Sequence, residues 1–458
     1  MRAFCSFPSC ANLGHFIKAG LPLAVLSSKT SALFSVFLPV IFCLAFGASA
    51  QDSEESLSPD KIFSSLERSL FQIRIIEKKS GSQVALGSGF LVEGNRLATN
   101  YHVVSSVVMD AEKYRIEVEV DKTKQSLSVL TADVVNDLAL LEFASLPENL
   151  PPVFKLALNI PRKGEVLYSL GNPHDLGMTI VAGNYNGLVD DKFLARIHFS
   201  GAINSGMSGG PTVNRRSEVV GINVASAGNQ VGFLVPVKAL SALLARARDL
   251  PENYRLLEDM ANQIGNLTDA MLEEMLKGEW KREEMGQVMI LGEVVAWLEC
   301  WGNSDYDKEA LTLEIARGCN NVDTVYVNRD FTTGFFEYEY YYFEAEEWSP
   351  PAFYRHWRAN TAGARPGNKA GKDNVENYSC VDRIVTTSNP DNEKSMRRRL
   401  SYCVRPYKEL KGLYDVFYMG ATVDQDNRAA MDHFTLAGVR ADAAQRFLAR
   451  FVEVMSWR

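Results

Sequence analysis

Residues 204–213 read NSGMSGGPTV, a serine, Ser208, set among glycines with a methionine directly before it. A turn of this composition can hold a hydroxyl at a sharp bend, and glycine at 206 permits the positive φ that swings a backbone amide toward a substrate oxygen. Short glycine motifs also arise by chance, so the meaning of Ser208 depends on what the rest of the chain supplies. Acyl transfer to a serine needs a base able to take its proton near neutral pH, and a carboxylate that fixes the base's tautomer and stabilises the imidazolium. It also needs donors that meet the oxyanion.

Candidates for the base are few: beyond residue 50 the histidines are His102, His174, His198, His356 and His433. His102 stands in LATNYHVV, after the strand-like GSGFLV and a turn at Glu93–Asn95, where a strand end would let the ring face a cleft. Downstream, VVNDLALLEF places Asp137 immediately before an unbroken apolar strand. A carboxylate at the mouth of a buried strand is costly unless hydrogen-bonded, and a histidine Nδ1–H is a partner that would satisfy it. The order is therefore His102, Asp137, Ser208, with separations of 35 and 71 residues.

The blocks GSGFLVEGNRLATNYHVV, NDLALLEF, SLGNPHDLGMT and GAINSGMSGGPTVNRRSEVVGINVA, taken together, resemble the protease domain of the HtrA/Deg group of trypsin-like serine proteases across roughly residues 70–240. The resemblance implies a mostly β catalytic domain of two six-stranded antiparallel β-barrels with the active cleft between them. It implies His102 as general base, Asp137 as its orienting acid and Ser208 as nucleophile. The oxyanion hole would be formed by the N–H groups of Gly206 and Ser208, with that of Met207 in the same turn. Met207 departs from the group, which usually has Asn there. A thioether cannot hold the loop by polar contacts, so whether the hole is preformed depends on what Met207 touches.

Specificity is faintly legible. Where enzymes selecting Lys or Arg carry an acid, six residues before the nucleophile, this chain has Ala202, so a small or apolar P1 side chain is expected. The run Ile222, Asn223, Val224, Ala225 is expected to pair with an extended substrate backbone by strand addition, which suits unfolded proteins. His198 is expected to be a strand histidine facing elsewhere, and His174 in GNPHDLG a solvated loop residue. No PDZ-like GLGF loop follows residue 250.

Outside this region, a helix is expected around Pro59–Arg68, and VKALSALLARARD lines Leu240, Leu243, Leu244 and Ala247 on one helical face. Residues 51–250 are expected to form the protease domain. Residues 251–290 read as a helical linker, with Gly265 and Gly278 as helix stops, and 291–458 as a C-terminal α+β domain. In that domain Phe336, Tyr338, Tyr340 and Tyr342 alternate along one strand, a pattern that sheet packing against a helix explains. The triplet Arg397-Arg398-Arg399 reads as a solvated surface, and Phe447, Phe451 and Met455 as the apolar stripe of a closing helix.

The first fifty residues hold three basic and no acidic side chains, then the run ALFSVFLPVIFCLAFG and Ala48-Ser49-Ala50, a pattern read as a secretory signal peptide cut after Ala50. An uncleaved membrane anchor is the other reading of the same run. Export to the periplasm or beyond fits the cysteines: Cys300, Cys319, Cys380 and Cys403 are an even set expected to form two disulfides, with three possible pairings. Beyond residue 50 the chain carries 45 basic against 56 acidic side chains, an excess that repels phosphate backbones and anionic lipid. Protein or peptide substrates are expected as partners, with no nucleic acid and no membrane beyond the export signal. No cofactor and no metal is expected. Two functions from different classes remain: a serine endopeptidase, or a catalytically silent trypsin-fold protein that binds extended peptides.

Overall fold

The computed structural model describes residues 57–458 except 146–150, 190–191, 227, 229–230, 389–393 and 426. The expected signal peptide lies outside the described residues. The chain opens with helix α1 (Pro59–Leu66), continued by a 3-10 turn to Ser69, where the sequence predicts a helix. Short strands with alternating or wholly apolar faces follow, as the β-rich runs require.

Strands β1 (Leu70–Glu77), β2 (Gln83–Glu93), β3 (Arg96–Thr99), β4 (Tyr114–Val120), β5 (Thr123–Asp133) and β6 (Leu138–Phe143) close into a barrel of order β1-β2-β3-β6-β5-β4. Helix α2 (Tyr101–Met109) leaves β3 and caps this barrel, burying Tyr101, Val103 and Val104 in its core. The short strand β7 (Lys155–Leu156) leads to β8 (Val166–Gly171), β9 (Thr179–Leu188), β10 (Ile197–Phe199), β11 (Pro211–Val213), β12 (Glu218–Ser226) and β13 (Gly232–Pro236). These six run antiparallel in the order β11-β8-β9-β10-β13-β12, and pairing of β12 with β11 closes the ring; β7 adds to β12 in parallel. The region is thus the pair of six-stranded barrels expected. Helix α3 (Val237–Arg248) follows, with Leu240, Leu243, Leu244 and Ala247 buried as its periodicity predicts.

Helix α4 (Leu256–Lys277) runs straight through Gly265, so the helix stop expected there is absent. The physical reason lies across the groove: a Cβ at 265 would come within 2.7 Å of the Arg440 guanidinium, which pairs with Asp269 one turn on. The glycine serves close approach rather than termination. Beyond Gly278, the stretch expected to complete a helical linker instead forms β14 (Arg282–Met285) and β15 (Val288–Leu291).

A seven-stranded antiparallel sheet dominates the remainder. It comprises β16 (Leu298–Asp307), β17 (Thr312–Asn321), β20 (Phe336–Ala345), β21 (Ser379–Ser388), β22 (Ser395–Pro406), β23 (Tyr414–Thr422) and β24 (Arg428–Val439), ordered β16-β17-β20-β24-β23-β22-β21. Between β17 and β20 a small hairpin, β18 (Val325–Asn328) and β19 (Phe331–Thr333), stands off the sheet. Helix α5 (Pro350–Thr361) covers one face through Phe353 and Trp357. Helix α6 (Ala441–Phe451) covers the other, its Phe451 ring 6.2 Å from that of Tyr338 and 5.8 Å from that of Tyr340. Strand β25 (Ser456–Trp457) then joins β14 and β15. The alternating aromatics of β20 are buried in this packing.

Disulfides Cys300–Cys319 and Cys380–Cys403 resolve the pairing that the sequence leaves open. Each ties an edge strand to its neighbour, β16 to β17 and β21 to β22, the positions where a sheet frays most readily. One surface expectation is overturned: Arg397 and Arg399 are exposed, but Arg398, on the opposite face of β22, is fully buried and paired with Asp432 at 2.7 Å. Strand alternation sends the middle member of the triplet inward.

The α+β region does not hang free of the barrels. Met260, Ala261 and Ile264 of α4, Val325 and Val327 of β18, and Tyr407 share one apolar core with Tyr101, Val103 and Val104 of α2.

Candidate active site

His102 lies in the first turn of α2, not on a strand end. After Thr99 the sequence changes from strand alternation to Tyr101, Val103, Val104, Val107 and Val108, a helical stripe that packs on the first barrel. Asp137 sits just before β6 with φ 62°, a left-handed conformation that is costly for a residue with a Cβ. Two donors hold it there: the Tyr101 amide and the Asn100 side-chain amide both donate to its carbonyl, at 3.2 and 2.8 Å.

The twist aims the carboxylate at the start of α2. Asp137 Oδ2 is 2.6 Å from His102 Nδ1, and Oδ1 accepts the His102 backbone amide at 2.8 Å. The pair is thereby fixed in two dimensions, leaving Nε2 as the ring's outward nitrogen. Burial opposes a charge on the ring, but the Asp137 carboxylate, through its charge and its hydrogen bond, outweighs it and holds the His102 pKa above the ordinary histidine value.

Ser208 belongs to the second barrel, yet its turn is fastened to the first. Its carbonyl accepts the Ser88 amide of β2 at 2.8 Å. Ser88 Oγ donates to the Gly206 carbonyl at 2.7 Å and accepts the Asn172 amide at 3.0 Å. Gly209, with φ 83°, lies so close to Thr99 and Asn100 that a Cβ would stand 2.3 Å from Thr99 Oγ1. Gly206 has φ 94°, and a Cβ there would collide with the Asn172 carbonyl at 2.3 Å. The serine turn is thus wedged against the segment that leads into His102. Among the described residues no hydrogen bond joins His102 to Ser208. Such contacts are commonly long without substrate and tighten on binding.

Of the three amides expected at the oxyanion site, that of Met207 is spent on the Asn204 carbonyl at 3.0 Å. No described residue accepts a hydrogen bond from those of Gly206 or Ser208. The Met207 side chain is fully buried in the second barrel's core with Phe199, Ile203, Val220 and Leu234. Where a polar residue would tie the loop by hydrogen bonds, this chain anchors it by burial.

The expected substrate-facing residues divide. Ile222 is buried in the core between the barrels. Asn223 is a hub that sequence reading treated only as part of a strand. Its side chain accepts from Ser169 and Thr212 and donates to the carbonyls of Leu170 and Met207, while its own carbonyl accepts the Gly209 amide. Every polar group of that amide is satisfied, and it braces the nucleophile turn from beneath. The only signal available in sequence was an Asn inside an otherwise apolar strand. At Val224 the register of β12 with β13 shifts between Asn223 and Ala225, so this backbone steps out of the ladder. Ala202 is half-buried beside Gly201. His174 is exposed, its amide bonded to the Ser205 carbonyl at 2.9 Å, and His198 is half-buried on β10. Among the described residues no group of three or more His, Cys, Asp or Glu is disposed to hold a metal.

Residues 87–222 match the family described as "Trypsin-like peptidase domain". A probable periplasmic serine endoprotease, DegP-like, from Rickettsia conorii is 30% identical over 43% of this chain and 41% of its own length. The periplasmic serine endoprotease DegP of Escherichia coli is 29% identical over 44% of this chain and 38% of its own. A crystal structure of the serine endoprotease from Yersinia pestis is matched at 25% identity over 43% of this chain and 69% of that one, with a TM-score of 0.36. The chain thus spans about two fifths of the length of these curated relatives. Residues 87–222 are thus similar to a trypsin-like peptidase domain, and the two six-stranded barrels are the fold that goes with that likeness.

Proposed function

We propose that this protein is an exported serine endopeptidase in which Ser208 is the nucleophile, His102 the general base and Asp137 its orienting acid. The observation that carries the proposal is the doubly bonded His102–Asp137 pair beside a serine turn whose flanking amides, at 206 and 208, have no described acceptor. In the first step Ser208 Oγ attacks the scissile carbonyl while its proton passes to His102 Nε2. Negative charge collects on the carbonyl oxygen, where the Gly206 and Ser208 amides receive it. The imidazolium, stabilised by Asp137, then gives the proton to the departing amine. Water, deprotonated by the same nitrogen, releases the acid and regenerates the hydroxyl.

Two features of the chain support a substrate class. Ala202 offers no counter-charge, so a small or apolar P1 residue fits. The backbone at Val224, stepping out of its ladder, is suited to pair with an extended chain, which favours unfolded proteins. The relatives named above are called periplasmic, and the leader composition fits the same destination for this chain.

The other reading, a silent protein that binds extended peptides, draws on the missing hydrogen bond between His102 and Ser208. A fluorophosphonate probe separates the two. Covalent labelling of the wild-type chain, lost in Ser208→Ala and slowed in His102→Ala, supports the enzyme. A folded protein that binds extended peptides yet resists the probe is the binder.

A further inference from the structure

The hairpin β18–β19 belongs by sequence to the α+β region, more than two hundred residues after His102, yet it lies against the helix that carries the histidine. Val325 and Val327 are buried in the core shared with Tyr101, Val103 and Val104. The Tyr101 hydroxyl donates to the Val327 carbonyl at 2.8 Å within that core. At the other end, Thr333 Oγ1 is 2.7 Å from the Tyr407 hydroxyl, which in turn bonds Asp415, so the hairpin is also fixed to the large sheet. Strand alternation turns Tyr326, between the two valines, the other way. Its ring stands edge-to-face with the His102 imidazole, centroids 6.2 Å apart and planes at 81°. A segment of the α+β region thus meets the helix that carries the base.

We infer that Tyr326 is a positioning residue for His102, so that the α+β region completes the catalytic centre. Asp137 fixes the imidazole along its Nδ1 edge but leaves the ring free to rock about that bond, and an aromatic edge-to-face contact restrains the remaining motion. The hairpin's double anchorage fixes the strand from which the ring projects. In a trypsin-like domain standing alone, no residue of such an appended region would be present to supply this ring.

The inference rests on the endopeptidase reading, and the experiment separates the two. The full chain is labelled with a fluorophosphonate, and the second-order rate is compared for wild type, Tyr326→Phe, Tyr326→Ala and Tyr326→Leu, each first shown to be folded by its melting curve. If the wild type does not label, the endopeptidase reading fails and takes this one with it, before any variant is considered. With wild type active, Tyr326→Phe keeps the ring and is expected within about twofold, whereas Tyr326→Ala and Tyr326→Leu are expected to fall about tenfold. For a peptide substrate the loss is expected in kcat with KM little changed, because the ring acts on the base rather than on ground-state binding. Leucine preserves apolar volume and covers the case in which alanine does not fold. Labelling of the leucine variant at the wild-type rate, or an equal loss in the phenylalanine variant, overturns the inference.

Discussion

The Ser208 carbonyl accepts the Ser88 amide at 2.8 Å, so the backbone of the proposed nucleophile, which the second barrel carries, is bolted to a strand of the first. The same Ser88 extends its hydroxyl to the Gly206 carbonyl and receives the Asn172 amide. One small residue of β2 thus holds the turn at two carbonyls, those of Gly206 and Ser208, on either side of the Met207 amide that bonds Asn204. Ser88→Ala removes both side-chain bonds while keeping the main-chain one. A buried Gly206 carbonyl without its donor frees the turn to rotate, and one oxyanion donor is worth about a hundred- to a thousand-fold in turnover. A part of that, about tenfold in kcat, is expected, with about 1–3 kcal/mol lost in stability. Steady-state kinetics on a peptide substrate and a urea melt read the two separately.

Met207 makes the opposite kind of anchor. Its side chain is fully buried among Phe199, Ile203 and Leu234, with no polar partner in that cluster. Met207→Asn would place a carboxamide in an apolar pocket, and an uncompensated polar group there costs about 1–3 kcal/mol. Chemical denaturation is expected to show a midpoint lowered accordingly. A midpoint equal to or above the wild type's would mean that the pocket supplies hydrogen bonds to the new side chain.

The pH dependence follows from the His102–Asp137 pair. The carboxylate holds the imidazole pKa above its ordinary value of about 6.5. Because the base must be neutral to accept the serine proton, the acid limb of kcat/KM is expected above that value. Stability runs the other way. A raised pKa means that the ion pair's stabilisation is fully present below the unfolded value and is lost as pH rises through the folded one. Activity should therefore emerge over the same interval in which this contribution fades. In Asp137→Asn the raising influences vanish while burial remains. The limb is expected to move to lower pH and kcat to fall roughly 10⁴-fold, the scale of this change in trypsin-like enzymes. A limb unmoved by the substitution would show that another group governs it.

Much of the catalytic region was legible because its signals are local. Asp137 before an apolar strand and Ser208 among glycines mark themselves, and apolar runs such as GSGFLV and LALLEF mark strands of the barrels. Strands β5 and β9 carry no such run: TKQSLSVLTAD is polar on one face and TIVAGNYNGL is broken by glycines, so neither shows the apolar density that flags a strand. His102 was assigned to a strand end because NYHVV is rich in β-branched residues, whose preference the packing of α2 overrides. The bracing role of Asn223 and the contact made by Tyr326 are invisible in the sequence for a different reason. Each matters through partners distant in the chain, 53 residues for Asn223 with Leu170, 54 with Ser169 and 226 for the Tyr101–Val327 bond beside Tyr326, and no local pattern encodes such a meeting.

Arg398 shows the same limit and gives the last prediction. In a run of three arginines the sequence offers no reason to single out the middle one, but the pleat of β22 buries it completely against an equally buried Asp432. Burial raises the Asp432 pKa, and the carboxylate of Asp432 offsets burial at Arg398 and raises the guanidinium's pKa in turn, so each charge depends on the other. Taking two charges out of water costs about as much as their attraction returns, so the pair contributes little net stability, whereas stranding one of them is expensive. Arg398→Met is accordingly expected to lose about 3–5 kcal/mol, since it leaves the Asp432 carboxylate with the Tyr418 hydroxyl but without its counter-charge. The double variant Arg398→Met with Asp432→Leu, which replaces both charges by apolar side chains of similar size, is expected to recover most of that loss. Guanidinium unfolding of the three proteins forms the cycle. If the double variant is as unstable as Arg398→Met alone, the guanidinium's further bond to the Val452 carbonyl, rather than the ion pair, is what holds the end of α6 to the sheet.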